Sequence, residues 1–130
     1  MTDAANNDYP PSGEVKVIDY KGKQIIFQNF SNCSPQQCHK IMEEGRKFFK
    51  ALPPKSGLGL LDVTGTKYDT GTVEDMKQYS IDNKPYSNKC AIVGLDGLKK
   101  IILQAIITFS GRNFALFNDI ESAKEYLVKD

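Results

Sequence analysis

Short β-type runs alternating with helix-type segments predict an α/β domain in the order ββαβαβαβα. The expected core is a mainly parallel sheet with an antiparallel hairpin at its start, packed by helices. Three observations carry this. Residues 57–63 (Gly-Leu-Gly-Leu-Leu-Asp-Val) and 89–94 (Lys-Cys-Ala-Ile-Val-Gly) are near-continuous apolar runs, the pattern of strands buried on both faces. Helix-periodic segments stand between such runs, as crossovers between parallel strands require. Two β-rich runs near the start are separated only by Lys21-Gly22-Lys23, where Gly22 can take the positive φ of a tight hairpin.

The elements follow in order. Residues 1–13 are polar and broken by Pro10, Pro11 and Gly13, so a flexible leader is expected before a domain spanning 14–130, with Tyr9 the only anchor. Strands are expected at Val15–Tyr20 and 24–30. The first helix is the best marked: Ser34 is its N-cap, Pro35 suits the first helical position, and Gln37 closes a Ser-x-x-Gln capping box. Cys38, Ile41, Met42, Gly45, Phe48, Phe49 and Leu52 share one face, Lys40, Glu43, Glu44, Lys47 and Lys50 the other, and Pro53-Pro54 ends it.

After the strand at 57–63, a polar loop over 64–71 leads to Thr72-Val-Glu-Asp75, read as a capping box opening a helix to Asn83. Pro85 stops that helix before the strand at 89–94. The turn Gly94-Leu-Asp-Gly97 opens a helix over 98–109, in which Ile101, Ile102, Ala105, Ile106 and Phe109 form one stripe. Leu103 and Ile107 fall outside it, an apolar surplus for a neighbouring helix, a dimer contact or a ligand wall. A strand at 113–117 precedes a closing helix capped by Asp119, with Ile120, Ala123, Tyr126 and Leu127 on one face.

Composition narrows the function. The chain has 130 residues and is 40% hydrophobic, enough for one domain with its own core. With 17 basic and 16 acidic side chains, the net charge of +1 provides no field for holding nucleic acid or an acidic membrane. Three cysteines, Cys33, Cys38 and Cys90, cannot all pair, which suits a reducing compartment. The first residues lack the basic and apolar regions of a signal peptide, and Gln104 interrupts the most apolar stretch well short of the ~18 residues of a membrane span. The expectation is a soluble cytoplasmic protein.

Catalytic and metal-binding chemistry finds little support. His39 is the only histidine, and Cys38 and His39 point about 100° apart on a helix, so a shared metal is not expected. Cys90 lies in an apolar strand, and only Cys33, ahead of a helix N-terminus, has any setting for thiolate stabilisation. There is no Gly-x-Ser-x-Gly elbow, no P-loop and no Gly-x-Gly-x-x-Gly, so neither an enzyme nor a cofactor is expected. In open parallel sheets ligands favour the carboxyl ends of the strands at a reversal of strand order. Asp62, Thr64, Tyr68, Asp69, Thr70, Thr72, Asp96 and Lys99 are the candidate partner-binding or ligand-binding residues there, with no metal site among them.

The element order, the strand ending in Asp62 and the loop Thr64-Gly-Thr-Lys-Tyr-Asp-Thr-Gly71 together resemble the STAS domain, most closely the small bacterial SpoIIAA-like (STAS/SEC14-like) proteins. Asn83-Lys-Pro-Tyr86 and Ser110-Gly-Arg112 stand where that group has similar segments, and the resemblance covers roughly residues 15–129. In the anti-sigma-factor antagonist branch, the first serine of an Asp-Ser-Ser-Gly motif is phosphorylated by a partner kinase. That motif falls on Asp69-Thr-Gly-Thr72, which implies Thr70 as phosphoacceptor, with Gly71 in place of the second serine. The resemblance therefore implies a non-enzymatic regulatory module with a kinase-like or anti-sigma-like protein partner, acting through the 64–72 loop. The surplus apolar face of 98–109 points alternatively to a carrier or sensor of a small apolar or amphipathic, lipid-like ligand, and that helix with the open sheet edges suggests a homodimer.

Overall fold

The computed structural model describes residues 9–129. Its elements are β1 (Val15–Tyr20), β2 (Lys23–Asn29), α1 (Pro35–Lys50), β3 (Gly57–Asp62), α2 (Thr70–Asn83), a 3₁₀ turn (Lys84–Tyr86), β4 (Ser87–Val93), α3 (Gly97–Ser110), β5 (Ala115–Phe117) and α4 (Ile120–Val128). The expected order ββαβαβαβα is the observed one. β1 and β2 pair antiparallel through a turn in which Lys21 and Gly22 both take positive φ, and every other neighbouring pair is parallel. The runs read as buried strands lie side by side, with Leu60 opposite Ala91 and Leu61 opposite Ile92.

Strand order equals chain order, so successive crossovers advance in one direction and their helices gather on one face. There α1, α2 and α3 press Cys38, Ile41, Met42, Tyr79 and Leu103 against Phe30, Val63 and Ile92. α4 covers the opposite face, packing Ala123 and Leu127 onto Ile25, Phe27, Leu60 and Val93. The capping box of α1 is complete: Gln37 N donates to Ser34 Oγ at 3.3 Å, and Ser34 N donates to Gln37 Oε1 at 2.9 Å.

Two local expectations are corrected. α2 begins at Thr70 rather than at Thr72, because the Asp69 carboxylate takes the cap: Oδ1 accepts from Thr72 N and from Thr72 Oγ1, both at 2.7 Å. α3 buries a face that overlaps the expected stripe only in part: Ile106 is buried and Ile102 half-buried, but Ile101, Ala105 and Phe109 are exposed. Lys99, Leu103, Ile106 and Ser110 turn inward, while Leu98, Ile101 and Phe109 are 70%, 69% and 56% exposed. The inward polar groups are satisfied locally, Ser110 Oγ by the Ile106 carbonyl at 2.8 Å and Lys99 Nζ by Asp96 Oδ2 at 3.6 Å.

Most of the expected leader, residues 1–8, lies outside the described residues. Tyr9 packs against Phe27 with tilted rings 5.3 Å apart at their centres and accepts a hydrogen bond from Lys124 Nζ at 2.6 Å, and Gly13 N donates to Asn29 O at 2.9 Å. Among the described residues, no helix is long and apolar enough to cross a membrane.

Candidate functional site

Three loops leave the carboxyl ends of β2, β3 and β4, and main-chain hydrogen bonds join them into one platform. Phe30 N donates to Asp62 O and Asn32 N to Thr64 O, both at 2.8 Å, while Val63 N donates to Val93 O and Lys67 N to Cys33 O, both at 2.9 Å. Buried Thr66 adds a fifth tie, its hydroxyl donating to Phe30 O at 2.7 Å. Asp62 folds the chain out of β3: its Oδ1 accepts from Thr64 N at 3.0 Å and from Thr64 Oγ1 at 2.7 Å, an Asx-type turn. Gly94, at φ 91°, comes so close to this turn that a Cβ would stand 2.1 Å from Thr64 Oγ1. Any side chain there would push the β3 and β4 loops apart.

Two helices start from this platform. Asp69 caps α2, and the hydrogen bonds it accepts, the Thr72 hydroxyl first and then the Thr72 amide, hold its carboxyl below the usual range. Asp96 caps α3 by accepting from Lys99 N at 2.9 Å, and that bond, joined by the Lys99 charge, depresses it too. Tyr68 is half-buried, and burial, then the nearby Cys38 thiol, push its phenol up to about 12. The Asp96 charge raises the same phenol.

Of the candidates read from the sequence, Asp62, Thr64, Tyr68, Asp69, Thr70, Asp96 and Lys99 thus lie at one end of the sheet. Their availability differs. Thr70 is exposed at the first position of α2, whereas Thr72 is buried with its hydroxyl on Asp69, and Lys99 is buried beside Asp96. The strand order never reverses, so the premise of a ligand crevice there is not met, and cavities of about 860, 690 and 730 Å³ elsewhere are lined by other side chains. Thr66 and Asn32 are not singled out from the sequence, and Cys33 is singled out there only for its thiol. Their roles rest on main-chain contacts between loops, which no local spacing announces, whereas Asp62-x-Thr64 carries a readable Asx-turn signature.

Cys33 and Cys38 lie beside the platform, and Cys90 lies in β4. All three cysteines are buried, and burial pushes the Cys38 thiol up to about 12 and the Cys90 thiol to about 11. His39 is exposed on α1, with Nε2 3.5 Å from Glu43 and Nδ1 3.6 Å from Asp75. The described residues contain no His/Cys/Asp/Glu group able to hold a metal ion.

No family model and no curated protein matches the sequence. Among solved structures, the chain is similar to an uncharacterized protein from the DUF3478 family with a SpoIIAA-like fold from Shewanella loihica PV-4. The two superpose with a TM-score of 0.69 over 87% of this chain and 91% of that one, at 12% sequence identity. The chain has a SpoIIAA-like fold. Within that SpoIIAA-like frame, the two segments quoted from the sequence meet in space at the far end of α2 and α3. Lys84 Nζ donates to Ser110 O at 3.2 Å, closing the α3 carboxyl end where Gly111 takes φ 70°. Arg112 donates to Ser80 O at 3.1 Å and to Ser87 Oγ at 3.0 Å. These segments hold α2, α3 and β4 together, which is a structural role.

Proposed function

We propose that the chain is a STAS-type regulatory module that binds a protein partner through the platform at the carboxyl ends of β2–β4, with Thr70 as its phosphoacceptor. The observation that carries this reading is the position of Thr70: exposed, at the first residue of α2, immediately after the Asp69 cap. A hydroxyl there is open to a kinase. A phosphate added to it would meet two opposing influences. The helix N-terminus favours negative charge, while the ionised Asp69 carboxylate next to it repels it. Phosphorylation therefore perturbs the cap and the adjoining loop, and with them the surface shown to a partner.

That surface is one of loops and helix starts, a form suited to a macromolecule. It continues onto α3, where Leu98 and Ile101 are 70% and 69% exposed within two turns of the Asp96 cap. Affinity capture with wild type, Thr70→Ala and Thr70→Glu chains, read by quantitative mass spectrometry, tests the reading. A partner retained by wild type and Thr70→Ala but lost from Thr70→Glu is expected. Equal retention of every captured protein by all three chains would reject the switch.

A further inference from the structure

Between the sheet and the helices α2 and α3, on the side opposite α4, lies a cavity of about 60 Å³. Most of its wall is hydrocarbon. Leu61 and Ile92, paired across β3 and β4, form the sheet side, Met76 comes from α2, Leu103 and Ile106 from α3, and Phe114 from the segment after α3. A small number of polar groups breaks this wall, the usual composition of a small-molecule site.

Those polar groups fall into two sets. Gln28 and Tyr79 satisfy each other: the Tyr79 hydroxyl donates to Gln28 Oε1 at 2.7 Å, and Gln28 Nε2 donates to Ile26 O at 2.9 Å. Ser80 and Arg112 are left with capacity. Ser80 is 4% exposed, and its Oγ is buried with no hydrogen-bond partner. Half-buried Arg112 donates to two neutral acceptors, Ser80 O at 3.1 Å and Ser87 Oγ at 3.0 Å, and makes no ion pair with a described carboxylate. Burial raises the Tyr79 phenol and the Cys90 thiol on the cavity wall, and the Arg112 charge opposes that rise at both. A guanidinium without a counter-ion and an orphan hydroxyl therefore share one corner of an apolar chamber.

We propose that this cavity binds a short monocarboxylate of two or three carbons, its oxygens accepting from Arg112 and Ser80 Oγ and its alkyl end lying against Leu103, Ile106 and Phe114. The free groups select an anion: both are donors, Arg112 keeps N–H groups beyond the two already engaged, and its charge gains most from a carboxylate. The hydrocarbon wall selects a molecule with one apolar end, because an anion with oxygens on every side would bury some of them without donors. The volume sets the length, since ~60 Å³ is about two waters' share of liquid and cannot take a fatty chain. Ser80 stands about 15 Å further along α2 than Thr70, so the site is independent of the Thr70 reading.

The test titrates the ¹⁵N-labelled chain with propionate, propionamide and octanoate at matched ionic strength and follows amide shifts. Propionate is expected to give saturable shifts at Ser80, Leu103 and Arg112. Propionamide has the same shape without the charge and should bind at least about tenfold more weakly. Octanoate should leave these amides unmoved. Ser80→Ala removes the free donor and should weaken propionate by about tenfold, while its melting midpoint stays near that of wild type. Ser80→Leu, which fills the cavity with hydrocarbon, should abolish binding. The proposal is overturned by the absence of saturable propionate shifts at these amides, by equal affinity for propionate and propionamide, or by undiminished propionate binding to folded Ser80→Ala.

Discussion

Arg112 reaches from the loop after α3 to the main-chain carbonyl of Ser80 in α2 at 3.1 Å, and the same guanidinium donates to Ser87 Oγ at 3.0 Å at the start of β4. It also stacks on the Phe114 ring, with the guanidinium carbon 4.9 Å from the ring centre. One planar, always-charged group thus fastens three elements that no local sequence spacing brings together.

Truncating that group should be costly. Arg112→Ala removes two charge-assisted hydrogen bonds and a stacking contact, for a loss of about 2 kcal/mol in urea denaturation. Arg112→Lys should recover only part, because an ammonium lacks both the spaced nitrogens that reach Ser80 and Ser87 and the planar group that stacks on Phe114. Ser80→Ala offers the contrast. The Ser80 hydroxyl is buried with no hydrogen-bond partner, so removing it should leave stability within about 1 kcal/mol of wild type or raise it slightly. An Arg112→Ala midpoint equal to that of wild type would show that the clasp contributes nothing.

The Asp69 cap predicts a stability dependence on pH. Hydrogen bonds from Thr72 lower the folded-state pKa of Asp69 below its unfolded value, so the folded state favours the ionised form. The contribution is therefore fully present above the ordinary carboxylate value of ~3.9 and is lost as pH falls through the lower folded value. Asp69→Ala should lower the melting midpoint at neutral pH and shrink its fall in acid. Asp69→Ser, which keeps a capping oxygen without the charge, should restore much of the neutral-pH midpoint and little of the acid slope. Scanning calorimetry from neutral pH into the acid limb measures both.

How far the sequence announces this structure depends on whether the signal is local. The α1 boundaries and capping box are legible because Ser34, Pro35 and Gln37 act within one turn, and β3 and β4 are legible because strands buried on both faces need unbroken apolar runs. The start of α2 is misread because Thr72-x-x-Asp75 has the form of a capping box, yet Asp69 supplies a charged acceptor to the same Thr72 amide. The buried face of α3 is misread for a related reason. With apolar residues on nearly every side, periodicity cannot choose a face, and the true one includes Lys99 and Ser110, whose polar atoms find partners on the helix itself. At the platform, Asp62 is legible at the end of its strand and Asp96 in the turn that opens α3, whereas the cap role of Asp69 is not. The ties through Thr66 and Gly94 join segments distant in sequence and are not legible either.

A close approach in the core makes a third prediction. Tyr79 donates its buried hydroxyl to Gln28 Oε1 at 2.7 Å, passing so near Gly45 of α1 that a Cβ there would stand 1.9 Å from the Tyr79 oxygen. Gly45→Ala should therefore destabilise the fold even though alanine is the better helix former. Tyr79→Phe alone should cost about 1–3 kcal/mol, since it leaves Gln28 Oε1 without its donor. In the double variant the alanine meets no hydroxyl, so its additional cost should be smaller than in wild type. A double-mutant cycle in urea detects that coupling, and strict additivity would mean that α1 moves aside freely.

The two faces of α3 supply the last prediction, which bears on burial and function together. Leu103 is buried against the α1–α3 side of the sheet, so Leu103→Ala should cost about 2–5 kcal/mol through lost transfer energy and an unfilled cavity. Ile101 and Leu98 face solvent, so Ile101→Lys or Leu98→Gln should change stability by no more than about 0.5 kcal/mol. The stripe expected from periodicity requires the opposite ranking at Ile101, making one set of denaturation curves decisive between the two orientations. The same exposed-face variants then report on the platform. If Leu98 and Ile101 extend the partner surface beyond Thr70, they should weaken capture of a partner that Thr70→Glu also loses, while the melting midpoint stays where it was. Loss of binding accompanied by a falling midpoint would instead trace the effect to a loosened helix.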